Sequence, residues 1–517
     1  MNKRGLDIDI EVHGSCSSTR EEMAKAFASS GPKGISELGG EFVAVVRSKD
    51  EEWIISSPGG IFPYFYTRRD GGIVHGKTVF EVMKRAGYSW SWNWSALGDL
   101  LAADYIIGGG TLHSMIERVP PGCILDLRSP GKEIRAHGTW CDSPSRKHAS
   151  PSVALDIFNE EVRRNAAGRC ALSLSGGLDS RAILSSLLRF GARPLLYTMG
   201  DAMSTDVRIA REISDMIGLD LEEIRLSPDD YLEDGERIVE LTGGAKTARH
   251  WHTYIFAKRT GLPRDVPLFV GSNGGFARDT FMDYGMFVRF LNLPARSLQT
   301  VYWKWKTKPP FSRREISTGL TQELARELEP STRKKGMEEM TAGSPKRLLD
   351  ALQHQFYTLR LRNFIGYGLQ MYSEHVAWCS PFLSKKWISE VRGLPHSWML
   401  GSNWHRYCIH SNYPKLMEVV ETNYLEPPAS RAPFVYRKPR LIKGLPRVPY
   451  VDYSKWFADS AMHEYLREEI RNIDDLMDEK LATALLDEHY RRRNRTQALS
   501  WMLCMCFLKK VIAAKGA

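Results

Sequence analysis

Six residues, Ser175-Gly176-Gly177-Leu178-Asp179-Ser180, stand between an apolar run, Arg169-Leu174, and a helix-patterned stretch, Arg181-Arg189. A buried strand that ends in paired glycines and turns straight into a helix aims the helix N-terminus, with its unpaired N–H groups and partial positive charge, past the end of the strand. The glycines permit close backbone approach and the serine hydroxyls add donors, so the loop suits a phosphate. Asp179 would repel such an anion unless Mg²⁺ bridged carboxylate and phosphate oxygens, which makes it a candidate metal ligand. Downstream the alternation continues, with strand patterns at Pro194-Thr198 and Pro267-Val270 and a helix pattern at Asp206-Ile217. This order predicts βαβ units and a parallel sheet. Asp206, opening its helix, reads equally as a cap or as a group beside the ligand.

A chain of 517 residues exceeds what one such unit needs, and two or three domains are expected. The sequence from Asp142 to Pro151 is poor in apolar residues and rich in Ser and Pro, which places the main boundary there. Before it, over residues 1–145, short apolar runs such as Phe42-Val46 and Trp53-Ile55 are broken by glycine pairs, as in an antiparallel β-rich domain. After it, over 151–517, the α/β pattern gives way from Lys346 onward to helical periodicity. With 43% hydrophobic and 26% charged residues, collagen-like and wholly disordered chains are excluded. No uninterrupted apolar run of membrane length is seen and Met1-Asn2-Lys3-Arg4 leads into acidic residues, so a cytoplasmic protein without a membrane span is expected. The eight cysteines show no CxxC or zinc-finger spacing, and free thiols are expected.

The net charge of +10 is uneven: residues 1–150 hold 18 basic and 18 acidic side chains, so the excess lies beyond them. It concentrates in two acid-free stretches, 284–314 around Tyr302-Trp303-Lys304-Trp305-Lys306, and 427–451. Each reads as a solvated basic surface or as part of an anion site. Gly71 to Thr78 carries the letters of a second phosphate loop, but Thr67-Gly72 reads as a hairpin turn with Ile73-Val74 beyond it, so the letters join a strand end to a helix start. His250 and His252 alternate on a predicted helix, do not share a face, and are read as structural or surface residues. The run Arg491-Arg492-Arg493-Asn494-Arg495 reads as a solvated helix face or as a contact for nucleic acid or an acidic surface.

The loop at 175–180 resembles that of the ATP-pyrophosphatases, which implies ATP cleaved between its α and β phosphates. By the same resemblance Leu172, Ser173, Thr198, Met199 and Gly200 flank the adenosine, with Ser175, Gly176, Gly177, Leu178, Asp179 and Ser180 on the phosphates. Leu38 to Val43, Ser57 to Tyr66 and Thr111 to Gly122 extend the likeness, and in order and spacing the chain resembles the asparagine synthetase family from near residue 35 to near residue 450. That family joins an N-terminal-nucleophile (Ntn) glutaminase, a sandwich of β-sheets, to an ATP-using synthetase domain. A glutaminase of this type needs an N-terminal Cys thiol, whereas this chain begins Met1-Asn2-Lys3 and its first cysteine is Cys16. The resemblance therefore implies a degenerate Ntn-like first domain without glutamine hydrolysis, as in β-lactam synthetases and lasso-peptide macrolactam synthetases.

Further assignments carried by the resemblance are ATP and Mg²⁺ as cofactors, with Gly271, Asn273 and Gly274 of the second glycine-rich loop on the nucleotide. Asp279 is a late-arriving metal candidate beside Asp179, because the acids the family places earlier in that loop are missing. Ser380-Pro381-Phe382-Leu383-Ser384 matches a family segment that ends in Asp, and Ala377 stands where asparagine synthetases often have Glu. Tyr372 and Glu374 are candidates for general-base work or plain helix-surface positions. Lys438 lies where the family has a lysine that stabilises charge during amide formation, although Arg431, Arg437, Arg440 and Lys443 flank it and all five read equally as surface charge. The expected partners are a carboxylate- and amine-bearing substrate, a peptide among the choices, with a partner protein or a homodimer left open and nucleic acid disfavoured. Two rival readings of the same loop are a tRNA-modifying ATP pyrophosphatase and a partner-dependent scaffold.

Overall fold

The computed structural model describes residues 8–49, 51–128, 133–135, 149–278, 290–422, 447–491 and 493–516. The amino-terminal region contributes β1 (Asp9–Cys16), β2 (Gly40–Arg47), β3 (Glu52–Ser56), β4 (Phe65–Arg69), β5 (Gly72–Gly76), β6 (Glu117–Arg118), β7 (Cys123–Asp126) and β8 (Glu133–Arg135). They form two antiparallel sheets, β1-β2-β3-β7-β8 and β5-β4-β6. Alternation along β2 shows why the sheets stack. Phe42, Ala44 and Val46 pack on Met23, Phe27 and Ile35 of the helices Arg20–Ser30 and Pro32–Ser36. Val43 and Val45 point the other way and meet Tyr64, Tyr66 and Val119 across the second sheet.

The hairpin β4–β5 turns at Asp70 and Gly71, whose φ angles of 51° and 77° suit a two-residue loop that matches the strand twist. The phosphate-loop letters at 71–78 thus run from this turn through β5 to Thr78, which caps the helix Val79–Ala86, and no strand precedes a loop there.

Beyond Pro151, where the helix Pro151–Asn165 begins, five strands build a wholly parallel sheet: β9 (Ala171–Ser173), β10 (Leu195–Met199), β11 (Leu221–Ile224), β12 (Leu268–Phe269) and β13 (Trp378–Cys379). Their spatial order is β11-β10-β9-β12-β13. The chain therefore winds one way from β9 to β11 and the other way from β9 through β12 to β13. In open sheets of this kind ligands bind outside the carboxyl ends of the strands where the order reverses, here between β9 and β12. Helices cover the sheet, with Leu172, Leu184, Phe269, Phe382, Trp387 and Trp404 in one core. A mixed α/β architecture with a helical carboxyl part matches the expectation.

Several boundaries differ from the sequence reading. The helix predicted from Arg181 begins three residues earlier, at Leu178, because the glycines end the strand abruptly and leave the loop short. Helical structure precedes Lys346: the helix Gln299–Lys306 contains the aromatic-basic stretch and buries Tyr302 and Trp303 completely. Two of the five residues at 302–306 are thus core rather than basic surface, with the Tyr302 hydroxyl accepting from Gln355 Nε2 at 2.7 Å. The arginine run is likewise partly internal, since Arg495 bonds both Glu315 and Glu488. The carboxyl-terminal helix Thr496–Ala514 is long and apolar enough to cross a membrane by length and composition, although 72% of that span is buried inside the fold. The predicted linker falls mostly on residues 136–148, outside the described residues.

The two regions meet at a buried guanidinium. Arg118 of β6 donates to Arg362 O and to Asn363 Oδ1 through Nη1, and to Ile61 O through Nη2, at 2.7 to 3.1 Å. Asn363 in turn donates to Ile106 O and Gly108 O, both at 2.8 Å. Asn363→Ala strands a buried donor and two buried carbonyls, and should cost about 2–4 kcal/mol, read as a lower midpoint in urea unfolding. A second expectation concerns acid. Burial pushes His13, His250 and His396 down to about 4 and His252 to about 3, from an ordinary 6.5. Between these values the unfolded chain binds protons that the folded chain does not. Stability from these sites is therefore complete above about pH 6.5 and declines as pH falls toward 4. Thermal melts at pH 5.0 should lie clearly below those at pH 7.5, by about 1–2 kcal/mol per histidine at order of magnitude.

Candidate functional site

The loop at 175–180 lies at the carboxyl end of β9, beside the reversal of strand order. The helix that follows, Leu178–Arg189, has Gly177 as its N-cap, and no side chain caps it. Its first N–H groups therefore face outward from a twelve-residue helix, which is an anion site by dipole and by unpaired donors together. Ser180 shapes the loop: its hydroxyl accepts from Ser175 N at 3.1 Å and lies 3.2 Å from Ser175 Oγ, which accepts from Gly177 N at 3.3 Å.

Distant residues hold this loop in place. Arg181, fully buried, donates to Gly176 O, Leu416 O, Val419 O and Val420 O at 2.7 to 3.2 Å. It thereby ties residues 416–422 to the back of the loop. Thr422 N donates to Gly176 O at 3.1 Å, and Thr422 Oγ1 donates to Asp206 Oδ1, which also accepts from Gly176 N. Of the two readings of Asp206, the cap is taken by its neighbour: Ser204 is the N-cap of the helix Thr205–Ile217 and accepts from Val207 N. Asp206 instead anchors Gly176, where a Cβ would stand 2.1 Å from Thr422 Oγ1 and 2.9 Å from Ile209.

Asp179 is enclosed. Arg278 Nη2 donates to its Oδ2 at 2.7 Å, and His405 Nε2 lies 2.9 Å from Oδ1. Burial alone would raise the carboxyl, but these neighbours hold it below the usual carboxylate range. Burial also lowers the pKa of His405 against the pull of Asp179. The second glycine-rich loop closes the remaining side, since a Cβ on Gly274 would stand 2.3 Å from Asp179 Cγ and one on Gly271 would stand 3.0 Å from its Cβ. Asn273, buried with φ of 72°, donates to Phe382 O and so fixes that loop on the core.

A cavity of about 250 Å³ opens in front of these groups. Ser173, Ser175, Gly177, Asp179, Thr198 and Met199 line it, as do Leu174 and Asp206, and later segments bring Arg278, Thr422, Arg447 and Tyr450. Leu172, Leu178 and Ser180 are buried behind the wall. Gly271 and Gly274 pack behind Asp179, Asn273 bonds Phe382 O, and none of the three lines the cavity. Gly200 faces Tyr450, whose carbonyl a Cβ at that position would meet at 2.9 Å. Tyr372 is buried and its hydroxyl bonds to Ser173, so it reaches the cavity wall through one side chain. Two residues on, Glu374 turns elsewhere: it pairs with Arg237 and borders a separate cavity of about 320 Å³ with His13, Gly14 and Lys77. Ser384 caps the helix Lys385–Gly393 and donates to Glu161, a structural role. His250 bonds Asp104, and among the described residues no three His, Cys, Asp or Glu side chains gather as a metal site. Lys438 and Asp279 lie outside the described residues.

The cavity fits a nucleotide triphosphate tail, with an uncapped helix end and two arginines facing it. It does not fit Mg²⁺ in the expected way, because Asp179 is already paired with a guanidinium and packed against a glycine loop at contact distance. Arg278, His405, Thr422, Arg447 and Tyr450 were not legible as site residues, since no local pattern marks a residue that arrives from 99 or more positions beyond Asp179.

Residues 156–260 match the family model for asparagine synthase, a span that includes the strand, loop and helix just described. No curated protein matches the chain. The match supports an asparagine synthetase-like ATP-dependent ligase domain over that span. Gly176→Ala should dislodge Thr422 and Asp206 and weaken ATP binding by about 100-fold or more, measured by equilibrium dialysis, because the Cβ meets atoms on two sides.

Proposed function

We propose that the chain is an ATP-dependent amide ligase that adenylates a substrate carboxylate and lets an amine or ammonia displace AMP, without hydrolysing glutamine. The observation that carries this reading is the uncapped helix end at Gly177, opening into a cavity at the point where the strand order reverses. The asparagine synthase match over the same residues supports the ligase class. In the first step a carboxylate oxygen attacks the α-phosphorus, the bond to the bridging β oxygen breaks, and pyrophosphate leaves against the helix end. In the second an amine nitrogen attacks the acyl carbon, loses a proton, and AMP departs. Positioning both substrates in one site removes most of the entropic barrier of that second step.

Within this scheme Thr198 and Met199 border the nucleoside, and Arg278 and Arg447 supply fixed positive charge toward the anionic adenylate. Tyr372 stands behind Ser173 as a positioning residue, its phenol raised by burial and so kept protonated. Lys438 is assigned to the amide-forming step on the resemblance alone.

The two stacked sheets up to Arg135 support reading that region as a glutaminase-like scaffold of the Ntn type. Cys16, at the end of β1, offers no substitute nucleophile, because burial raises its thiol pKa. The amine must then come with a substrate or as free ammonia. A larger cavity, about 500 Å³, favours a second substrate portion. Val451, Tyr453 and Ser454 line it, directly after Tyr450 of the nucleotide cavity. A cyclisation of the β-lactam or macrolactam type, in which both groups belong to one molecule, fits this pairing of cavities.

Labelled pyrophosphate should exchange into ATP only in the presence of an accepted carboxylate, tested over a panel of acids and peptides. Absence of exchange and of AMP release across that panel would sink the reading. Gly177→Ala provides the site-specific control: its Cβ meets only Ser175 Oγ at 3.4 Å, so the fold stands, but the methyl group occupies the phosphate approach. Exchange should fall at least about tenfold with an unchanged melting temperature.

A further inference from the structure

Asp179 and Arg278 sit 99 positions apart in sequence and 2.7 Å apart in space, at the inner wall of the nucleotide cavity. Both are mostly buried, with side-chain exposures of 18% and 19%. A buried carboxylate needs a countercharge, and two kinds of group can supply it beside a phosphate: a divalent cation that coordinates both anions, or a guanidinium that bonds both. The packing here selects the second. Gly274 lies so close that any Cβ would fall 2.3 Å from Asp179 Cγ, and His405 Nε2 stands 2.9 Å from the other carboxylate oxygen. Mg²⁺ holds its ligands at about 2.1 Å and keeps several waters, and the side of Asp179 packed by Arg278, His405 and the glycine loop leaves no room for that shell.

The guanidinium also has capacity to spare. Only one of its nitrogens bonds Asp179, and Arg278 Nε is buried without a hydrogen-bond partner among the described residues. A buried unmet donor beside a cavity marks a place where a ligand oxygen completes the shell.

Building on the ATP reading of the cavity, we propose that Arg278 is the phosphate-binding cation of this site and takes the place of a protein-held divalent metal, with Asp179 positioning the guanidinium rather than ligating an ion. Nucleotide reaches the protein with or without its own Mg²⁺, and the described residues add no ligand to that ion. Arg278 thus becomes a specificity-determining residue for the triphosphate: AMP, which lacks the β and γ oxygens, gains little from it.

Equilibrium dialysis of ATP and AMP against the full-length protein, in EDTA and in Mg²⁺, tests this directly. The wild type should bind ATP in EDTA within about threefold of its affinity in Mg²⁺. Arg278→Gln should lose about ten- to hundredfold for ATP in both buffers and little for AMP, as expected for one charged hydrogen-bonding partner. Arg278→Lys should restore part of that loss, which a merely structural role would not show, and circular dichroism melts confirm that both variants fold. Asp179→Asn removes the charge that positions Arg278 and should weaken ATP binding by about the same factor in EDTA and in Mg²⁺, severalfold in each. Mg²⁺-dependent binding in the wild type that disappears in Asp179→Asn would overturn the proposal while leaving the ATP reading intact. Failure of the wild type to bind either nucleotide in either buffer would overturn both.

Discussion

The buried guanidinium of Arg181 is the contact on which the site depends. A glycine loop has no side chains with which to hold its own shape, and its entropy favours many conformations over one. Arg181, the residue after the loop, bonds one carbonyl of the loop and three carbonyls of the segment at 416–420. This converts a flexible turn into one wall of a rigid assembly. Glu421, also buried, adds to the charge balance of Arg181, whose pKa burial lowers to about 10. Because four acceptors surround it, the cation persists without a salt bridge to the loop, and the loop's remaining N–H groups stay turned toward the cavity.

How much of this the sequence showed follows from the range of each interaction. The strand, loop and helix from Ala171 to Arg189 are local, and alternation of apolar runs with glycines specifies them within a few residues. The parallel sheet follows from the same alternation, but β11 and β13 escape it. Leu221-Glu222-Glu223-Ile224 is an edge strand with acids at its middle, and Trp378-Cys379 is two residues long. Aromatic content misled at Tyr302 and Trp303, because neighbouring lysines made a half-buried helix look like a basic surface. Asp206 was visible as a residue of interest, yet only the geometry separates a cap from an anchor, since both roles place an acid in the first helical turn.

The rest of the site was not legible for a physical reason. Thr422, Arg447 and Tyr450 reach the cavity through a chain excursion of 216 residues or more beyond Asp206, and their sequence neighbourhoods obey no period. His405 sits in the first turn of the helix Asn403–Asn412, where it resembles any core histidine until its 2.9 Å approach to Asp179 is seen. Resemblance to a family supplies positions for such residues only where the letters persist. Here Arg278 stands ahead of Asp279, the acid on which the resemblance placed a metal.

The placement of charge explains why a +10 chain need not be a nucleic-acid binder. A nucleic-acid surface needs exposed, unpaired cations along a face, since affinity comes from counterion release at many phosphates. Much of the basic excess described here is paired or internal: Arg495 with Glu315 and Glu488, Arg211 with Glu223, Arg259 with Asp230, and Arg118 and Arg362 among backbone carbonyls. At the cavity the balance is different. Of its two carboxylates, Asp179 is held through Oδ2 by Arg278, with His405 Nε2 close to Oδ1 but not hydrogen-bonded to it, and Asp206 by Gly176 N and Thr422 Oγ1. What faces the open space is therefore Arg447, the unfilled side of Arg278 and the helix end, a concentrated positive field in a small volume. That arrangement matches a compact polyanion such as a nucleotide triphosphate, and it is the reason the site can hold a phosphate beside an aspartate at all.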